Sequence, residues 1–333
     1  MKYIIIDSAN LFFRCKHVAA KGTDAWTKVG FALHLTLTSA AKEFREHKGD
    51  HVVFALEGGS WRKDFYKPYK ANRVEARAAL SDEQIEEDKL FFEAYNDMIE
   101  FLDKKTNCTL LQAKKVEGDD MVARWIQTHP DDQHVIVSSD TDFVQLLAPN
   151  VTQYNGVQKQ LLTLDGVFDD KGKPVFDKKT KKVKDLLQIL NGNYFLNCIR
   201  GDKGDNVFSA FPGAREKGTK NKVGIREAFN DRVSQGYNWN NFMLQRWVDH
   251  LEEEHKVVDD YNRNVTLVDL SAQPQNIIDK MDLVIAEAYM KPSAKMVGAQ
   301  LLKFCGKYEL ENVAKFPDGY ANFMNAKLPE IES

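Results

Sequence analysis

The sequence predicts an α/β fold with a mostly parallel central sheet flanked by helices. Three observations carry this reading. Short apolar runs of the buried-strand kind alternate with longer stretches of helical pattern. Several of those runs end on a carboxylate. From about Lys184 the alternation stops and helical patterns dominate.

Tyr3–Ile6 is the first buried run and ends at Asp7. Trp26 to about His47 is long, mixed in polarity and free of proline, and reads as a helix. His51–Leu56 is a second strand, ending at Glu57. Ser81–Lys105 reads as a helix that starts on a capping box, Ser81 with Gln84. Cys108–Gln112 is a third strand and Asp119–Thr128 a helix. His134–Val137 is another strand, followed by Ser138-Ser139-Asp140 and a short helix over Asp142–Leu147. Val151–Tyr154 and Gln160–Leu164 form either a hairpin or edge strands, and Val167–Lys184, rich in Lys and Asp, is expected to loop out.

Composition narrows the class. The 333 residues carry a net charge of −3, and 43% are hydrophobic, enough for a sizeable core. No apolar run approaches the roughly 18 residues that span a bilayer. The apolar run at Met1–Asp7 is too short for a signal peptide. Cys15, Cys108, Cys198 and Cys305 lie far apart with no CxxC, which argues against a disulfide framework or thiolate zinc and for a reducing, cytoplasmic setting.

Acids cluster where such sheets bind ligands, at the carboxyl ends of strands. Asp7, Glu57 and Asp140 each follow such a strand, and Glu117-Gly118-Asp119-Asp120 at a helix start, Asp142, and Asp202 with Asp205 add further acids. Taken singly, each is an ordinary turn or helix-capping residue. Taken together they suit hard cations: Mg²⁺ and Mn²⁺ prefer carboxylate and water oxygens. Two such ions roughly 4 Å apart activate water and neutralise a phosphate. Gathering so many like charges without cations is costly.

Basic residues supply the complement. Trp61–Arg77 holds six basic residues (Arg62, Lys63, Lys67, Lys70, Arg73 and Arg77) against two acids, with four aromatics between them. Cations contact phosphates and aromatics stack on unpaired bases. The segment follows Glu57 and is expected to arch over the acids, unless it is a solvated loop with its aromatics docked in the core. Lys171–Lys184 carries seven lysines and reads as a solvated loop. Lys220 and Lys222 lie near a helix start around Gly224, where backbone N–H groups can hold a phosphate. His250–His255 superficially resembles a zinc-protease helix, but its histidines are five apart and do not share a helical face, so a solvated helix is expected. There is no P-loop, GxGxxG or GxSxG element.

Five stretches, in order, resemble the flap endonuclease family of 5′-3′ exonucleases, most closely its bacteriophage members. They are Ile5–Leu11, Tyr69–Arg73, Val116–Met121, Ser138–Phe143 and Gly201–Val207; Asn264–Leu270 adds a sixth, and the resemblance runs to about residue 290. It implies that Asp7, Glu57, Glu117, Asp119 and Asp140 surround one Mg²⁺ or Mn²⁺. Asp142, Asp202 and Asp205 would hold a second, with Asp140 bridging or nearby, and Asp120 would orient waters. It implies that Lys70 and Arg73 belong to a helical arch that grips the scissile phosphate. A PIN-like nuclease core over 1–183 would include that arch, at about 58–105. A helical region over 184–333 would carry a helix–three-turn–helix-like element that binds duplex DNA.

Two departures stand out. Glu57 replaces the usual Asp, and Phe208–Gly213 with a basic insert interrupts the glycine-rich run that serves a K⁺-assisted duplex contact. The implied activity is two-metal 5′→3′ exonuclease and flap endonuclease cleavage. The implied substrates are DNA with 5′ flaps or 5′ ends and RNA–DNA hybrids, including RNA primers in phage replication. A monomer in the host cytoplasm, meeting a single-stranded-DNA-binding protein or other replisome components but no membrane, completes the expectation. The alternatives are a PIN-type ribonuclease and a non-catalytic DNA-structure-binding protein.

Overall fold

β1 (Lys2–Asp7) is central to a seven-stranded sheet of order β3-β2-β1-β4-β5-β6-β7. It pairs in parallel with β2 (His51–Ala55) on one side and β4 (Gln133–Val137) on the other, Ile5 lying opposite both Val53 and Ile136. β3 (Thr109–Leu111) extends the parallel set beyond β2, and β5 (Val151–Asn155) extends it beyond β4. Both faces of β1 are covered, which is why it reads as an unbroken apolar run. β6 (Gln160–Thr163) and β7 (Gly166–Asp169) close this edge in antiparallel fashion, so the hairpin reading of the β5–β6 pair holds. The loop expected from Val167 is corrected at its start. Val167 is buried in β7, where an edge strand pairs on one side only and needs little apolar sequence. Residues 177–184 lie outside the described part of the computed structural model, which covers residues 1–16, 23–176 and 194–329.

Helices cover both faces. α1 (Ser8–Lys16) leaves β1 directly, and α2 (Ala25–Glu46) starts at Asp24, whose Oδ1 accepts from the Thr27 amide at 3.0 Å. Two short helices, α3 (Arg62–Phe65) and α4 (Asn72–Ala78), precede α5 (Asp82–Lys105). α5 begins on the expected capping box: the Gln84 amide donates to Ser81 Oγ at 3.3 Å, and the Ser81 amide donates back to Gln84 Oε1 at 2.9 Å. Ile4 and Ile6 point into a core shared with α2, α5 and the helices Val297–Lys307 and Pro317–Asn325. Tyr3 faces the other way and meets Trp125 of α6 (Gly118–Thr128), against which Gln275–Tyr289 packs.

Contacts divide the chain into two units, each discontinuous in sequence. The sheet unit gathers Met1–Ser60, Leu80–Lys184 and Pro274–Ser333; the other gathers Trp61–Ala79 and Asp185–Gln273. The second unit has its own core of Phe195, Ile199, Ile225, Ala228, Phe242, Met243 and Val257. It is mainly helical, but a hairpin pairs Arg246–Val248 with Glu254–Lys256. The solvated helix expected over His250–His255 is therefore corrected: these residues form the turn and second strand of that hairpin. The hairpin's strands have three residues each, too short to show a period of two. Among the described residues no helix is long and apolar enough to cross a membrane.

Candidate metal centre

The strand order turns at β1. The chain runs outward to β2 and β3 on one side and to β4 and β5 on the other, so the carboxyl ends of β1 and β4 flank a topological switch point. Asp7 is the last residue of β1 and is 9% exposed. Its Oδ2 accepts from Ser138 Oγ at 2.7 Å, and its Oδ1 from the Asn10 amide at 3.2 Å. Ser138 Oγ also accepts from the Asp140 amide at 3.0 Å, and Asp140 Oδ1 accepts from the Asp142 amide at 2.9 Å. One hydroxyl thus ties the acids after β4 to the acid that ends β1. Burial pushes the Asp7 carboxyl up to about 6, and Asp140 adds repulsion, while the Ser138 hydroxyl and Asn10 amide pull it down.

The β2 and α6 acids meet in the same unit. Past β2, Gly58 approaches the 113–116 turn so closely that a Cβ would lie 1.8 Å from the Ala113 carbonyl oxygen. The Gly58 amide donates to the Val116 carbonyl at 2.9 Å, and the Lys115 amide donates to the Gly58 carbonyl at 2.7 Å. This seam carries Glu57 to the start of α6, where its Oε1 lies 3.4 Å from the point a Gly118 Cβ would occupy. Glu117 caps α6; it is 3% exposed and accepts from Ser60 Oγ at 2.8 Å. Asp119 and Asp120 occupy the first turn, where the helix dipole favours anions, and Asp120 is fully buried. Several of these carboxylates are buried and Asp7 is pushed up in pKa, a burden that a hard divalent cation would relieve as counter-charge.

The other unit holds Asp202 and Asp205. Asp202 Oδ1 accepts from the Gly204 amide at 2.7 Å, forming a local turn closed by pairing of Asp202 with Val207. Asp205 is surrounded by donors from the basic segment. Arg73 Nη2 lies 2.7 Å from Oδ1, Tyr69 donates its hydroxyl to Oδ2 at 3.0 Å, and Lys70 Nζ lies 3.5 Å from Oδ2. Asn72 donates to the carbonyls of Lys203 and Gly204, and Asn206 to that of Pro68. The basic segment and the Asp202–Asn206 turn are thus one assembly.

The remaining cations divide by exposure. Lys63, Lys67, Arg77, Lys220 and Lys222 are exposed. Arg62 departs from the expected phosphate-contacting role. It is 1% exposed, donates its Nε–H to the Leu267 carbonyl at 2.9 Å, and lies over the Trp61 ring. Its guanidinium satisfies a buried carbonyl instead of facing solvent. Of the aromatics, Trp61 and Tyr69 are buried and Phe65 is exposed. The Gly224 amide, read as a possible phosphate donor, is taken by Glu227 Oε2 at 2.9 Å, which also accepts from Gly218.

The residues that position the acids carry little signal of their own in the sequence. Asn10 Oδ1 accepts from the Ser139 hydroxyl at 2.9 Å, and Gln153 Nε2 donates to the carbonyls of Ser138 and Asp140 at 3.0 and 2.6 Å. Asn10, Ser138 and Ser139 stand beside Asp7 and Asp140 in the chain. Gln153, 1% exposed on β5, had no local signal beyond being polar within a strand.

A doubly wound sheet with carboxylates at the carboxyl ends of β1 and β4 defines an α/β protein with an acidic site at its topological switch point. Residues 2–172 match the family model described as 5′-3′ exonuclease, N-terminal resolvase-like domain, and the chain belongs to that family. It is 26% identical over 295 residues to the flap endonuclease of Escherichia phage T5, covering 85% of this chain and 91% of that one. It is 29% identical over 263 residues to the ribonuclease H of Enterobacteria phage T4, covering 73% of each. Its fold resembles the T5 D15 protein co-crystallised with metal ions, with a TM-score of 0.57 at 22% identity over 86% of this chain and 99% of that one. A pseudo-enzyme-product complex of the T5 flap endonuclease with DNA and metal ions gives a TM-score of 0.55 at the same identity and coverage.

Proposed function

We propose that this chain is a divalent-metal-dependent 5′ nuclease, acting as a 5′→3′ exonuclease and flap endonuclease. The observation that carries the reading is the Asp7–Ser138–Asp140 linkage at the switch point of the sheet. Asp7, Glu57, Glu117, Asp119, Asp120 and Asp140 are the ligands or water-orienting groups for one Mg²⁺ or Mn²⁺. Asp142, Asp202 and Asp205 are the remaining candidate ligands, for two ions in all. When bound, such ions polarise a phosphodiester and make water more acidic.

The protein's own groups have separate tasks. Ser138 and Asn10 hold the Asp7 carboxylate in place through their donors. Lys70 and Arg73 stabilise charge on the scissile phosphate. Because both face Asp205, a phosphate competes with that carboxylate for them. Lys63, Lys67, Arg77, Lys220 and Lys222 contact backbone phosphates, each adding salt dependence to binding. Suitable substrates are DNA with 5′ flaps or 5′ ends and RNA–DNA hybrids, which places the chain in primer removal and flap trimming during phage DNA replication. It acts there as a monomer in the host cytoplasm, with a single-stranded-DNA-binding protein or other replisome components as neighbours, and the helical second unit contacts duplex DNA.

The test uses 5′-labelled flap, duplex and hairpin RNA substrates with Mg²⁺ or with EDTA. Mg²⁺-dependent cleavage of flap and 5′ ends is expected. Cleavage confined to unstructured RNA would move the chain to a PIN-type ribonuclease, and binding without cleavage would remove the catalytic reading.

A further inference from the structure

The hairpin in the second unit brings three side chains of metal-ligand type together. One ligand atom each from Asp249, Glu253 and His255 lie within 4.8 Å of one another. His255 is held by its neighbours. Its Nδ1 lies 3.0 Å from Oδ2 of Asp260, a carboxylate 7% exposed that also accepts from Arg263. Its ring stacks on Trp247 with centroids 4.4 Å apart and planes 15° from parallel. Trp247 is itself anchored by donating Nε1–H to the Ala210 carbonyl at 2.9 Å.

In the tautomer that donates Nδ1–H to Asp260, Nε2 carries its lone pair. That nitrogen is buried, has no hydrogen-bond partner, and faces Asp249 Oδ2 at 3.6 Å. Two lone-pair atoms facing each other need a cation between them. A proton would do this, but charge-assisted hydrogen bonds close to about 2.7–2.9 Å, and this pair is longer. Zinc bonds of about 2.0–2.2 Å put neighbouring ligand atoms of a tetrahedral ion roughly 3.3 Å apart, close to the spacing found. A carboxylate on the far ring nitrogen is the usual orienting partner of a metal-bound histidine. An imidazole with two carboxylates suits a borderline ion such as zinc better than Mg²⁺.

We propose that Asp249, Glu253 and His255 form a zinc(II) site that clips the hairpin closed, with Asp260 as the positioning carboxylate. The test is equilibrium dialysis of the full chain against Zn²⁺ in excess Mg²⁺, with zinc counted per chain. The wild type retains one more zinc than His255→Gln, and Asp140→Asn, altered in the other acid cluster, retains it too. Glu253→Gln changes an exposed side chain and leaves the fold intact, so it decides the matter if His255→Gln disturbs the hairpin; its zinc affinity falls about tenfold or more. Equal zinc in the wild type and a folded His255→Gln, loss of this zinc in Asp140→Asn, or unchanged affinity in Glu253→Gln each overturns the proposal.

Discussion

Replacing Ser138 with Ala removes one hydroxyl from the junction of β1 and β4, and the structure gives the size and sign of the effect. The hydroxyl donates to Asp7 Oδ2 at 2.7 Å, and the carboxyl it serves is pushed up by burial to about 6. Because that value lies above the 3.8 of an unperturbed Asp, the folded chain holds this proton more tightly than the unfolded chain. Ionising Asp7 therefore weakens the fold as pH rises from the unfolded value through about 6, by roughly 3 kcal/mol in full. A hydrogen bond to a charged acceptor is worth about 1.5–3 kcal/mol, against about 1 kcal/mol for a neutral one, so Ser138→Ala pushes the Asp7 carboxyl further up. At about pH 8.5 the metal-free variant should be less stable than the wild type by about 1.5–3 kcal/mol. At about pH 5 Asp7 is protonated in both, and the gap should shrink toward the worth of neutral hydrogen bonds, about 1 kcal/mol each, one to Asp7 and one from the Asp140 amide. Urea unfolding in EDTA, followed by tryptophan fluorescence, measures both gaps. Equal gaps at the two pH values would mean that the hydroxyl does not stabilise the ionised carboxylate, and the reasoning fails.

Other predictions concern the scaffold and the cations. His51 is wholly buried, with its ring nitrogens against the Ala326 carbonyl and Thr109 Oγ1, and burial pushes it down to about 4. Its unfolded ring takes a proton near pH 6.5 while the folded one does not, so stability falls by roughly 3 kcal/mol between about pH 6.5 and 4. His51→Gln should flatten that limb in urea titrations, and an unchanged limb would assign it elsewhere. Arg62→Ala should cost about 3 kcal/mol of stability, because it orphans the Leu267 carbonyl and strips Trp61 of its cation. Its effect on the salt dependence of DNA binding should be nil. Lys67→Ala should do the reverse: it leaves stability within about 0.5 kcal/mol and lowers the slope of log K against log salt by about 0.7–0.9. A swap of these two patterns would refute the division by exposure.

The parts of this molecule that sequence reveals are those governed by local physics. β1, β2 and β4 are buried on both faces, so their residues form apolar runs that can be read directly. A capping box needs only Ser81 and Gln84 at the right spacing, and it formed. The acids Asp7 and Asp140 stand out because a charge closes or follows each of two apolar runs. Tertiary choices are harder to read. Arg62 has the same chemistry as Lys67 on paper, yet the Leu267 carbonyl, distant in sequence, draws it inside. Gln153 serves Ser138 and Asp140 only because β5 lies beside β4. The Arg246–Lys256 hairpin is hard to read because Glu and His in a solvated stretch suggest helix, and its one turn signal, Asp249, whose Oδ1 accepts from the Leu251 and Glu253 amides, is equally at home in a helical stretch. Trp61–Ala79 and Leu80–Lys105 are adjacent in the chain but belong to different units, a division that no linear composition shift marks.

The most direct test of the central claim, that acids at the carboxyl edge of the sheet hold the ions of a 5′ nuclease, is single-turnover cleavage of a 5′-labelled flap across a Mg²⁺ titration. It is run on the wild type and on Asp140→Asn, with DNA binding measured in parallel. Asp140→Asn is expected to bind the flap like the wild type and leave it uncut at saturating Mg²⁺. Cleavage by Asp140→Asn at the wild-type rate and with the wild-type Mg²⁺ dependence would contradict it.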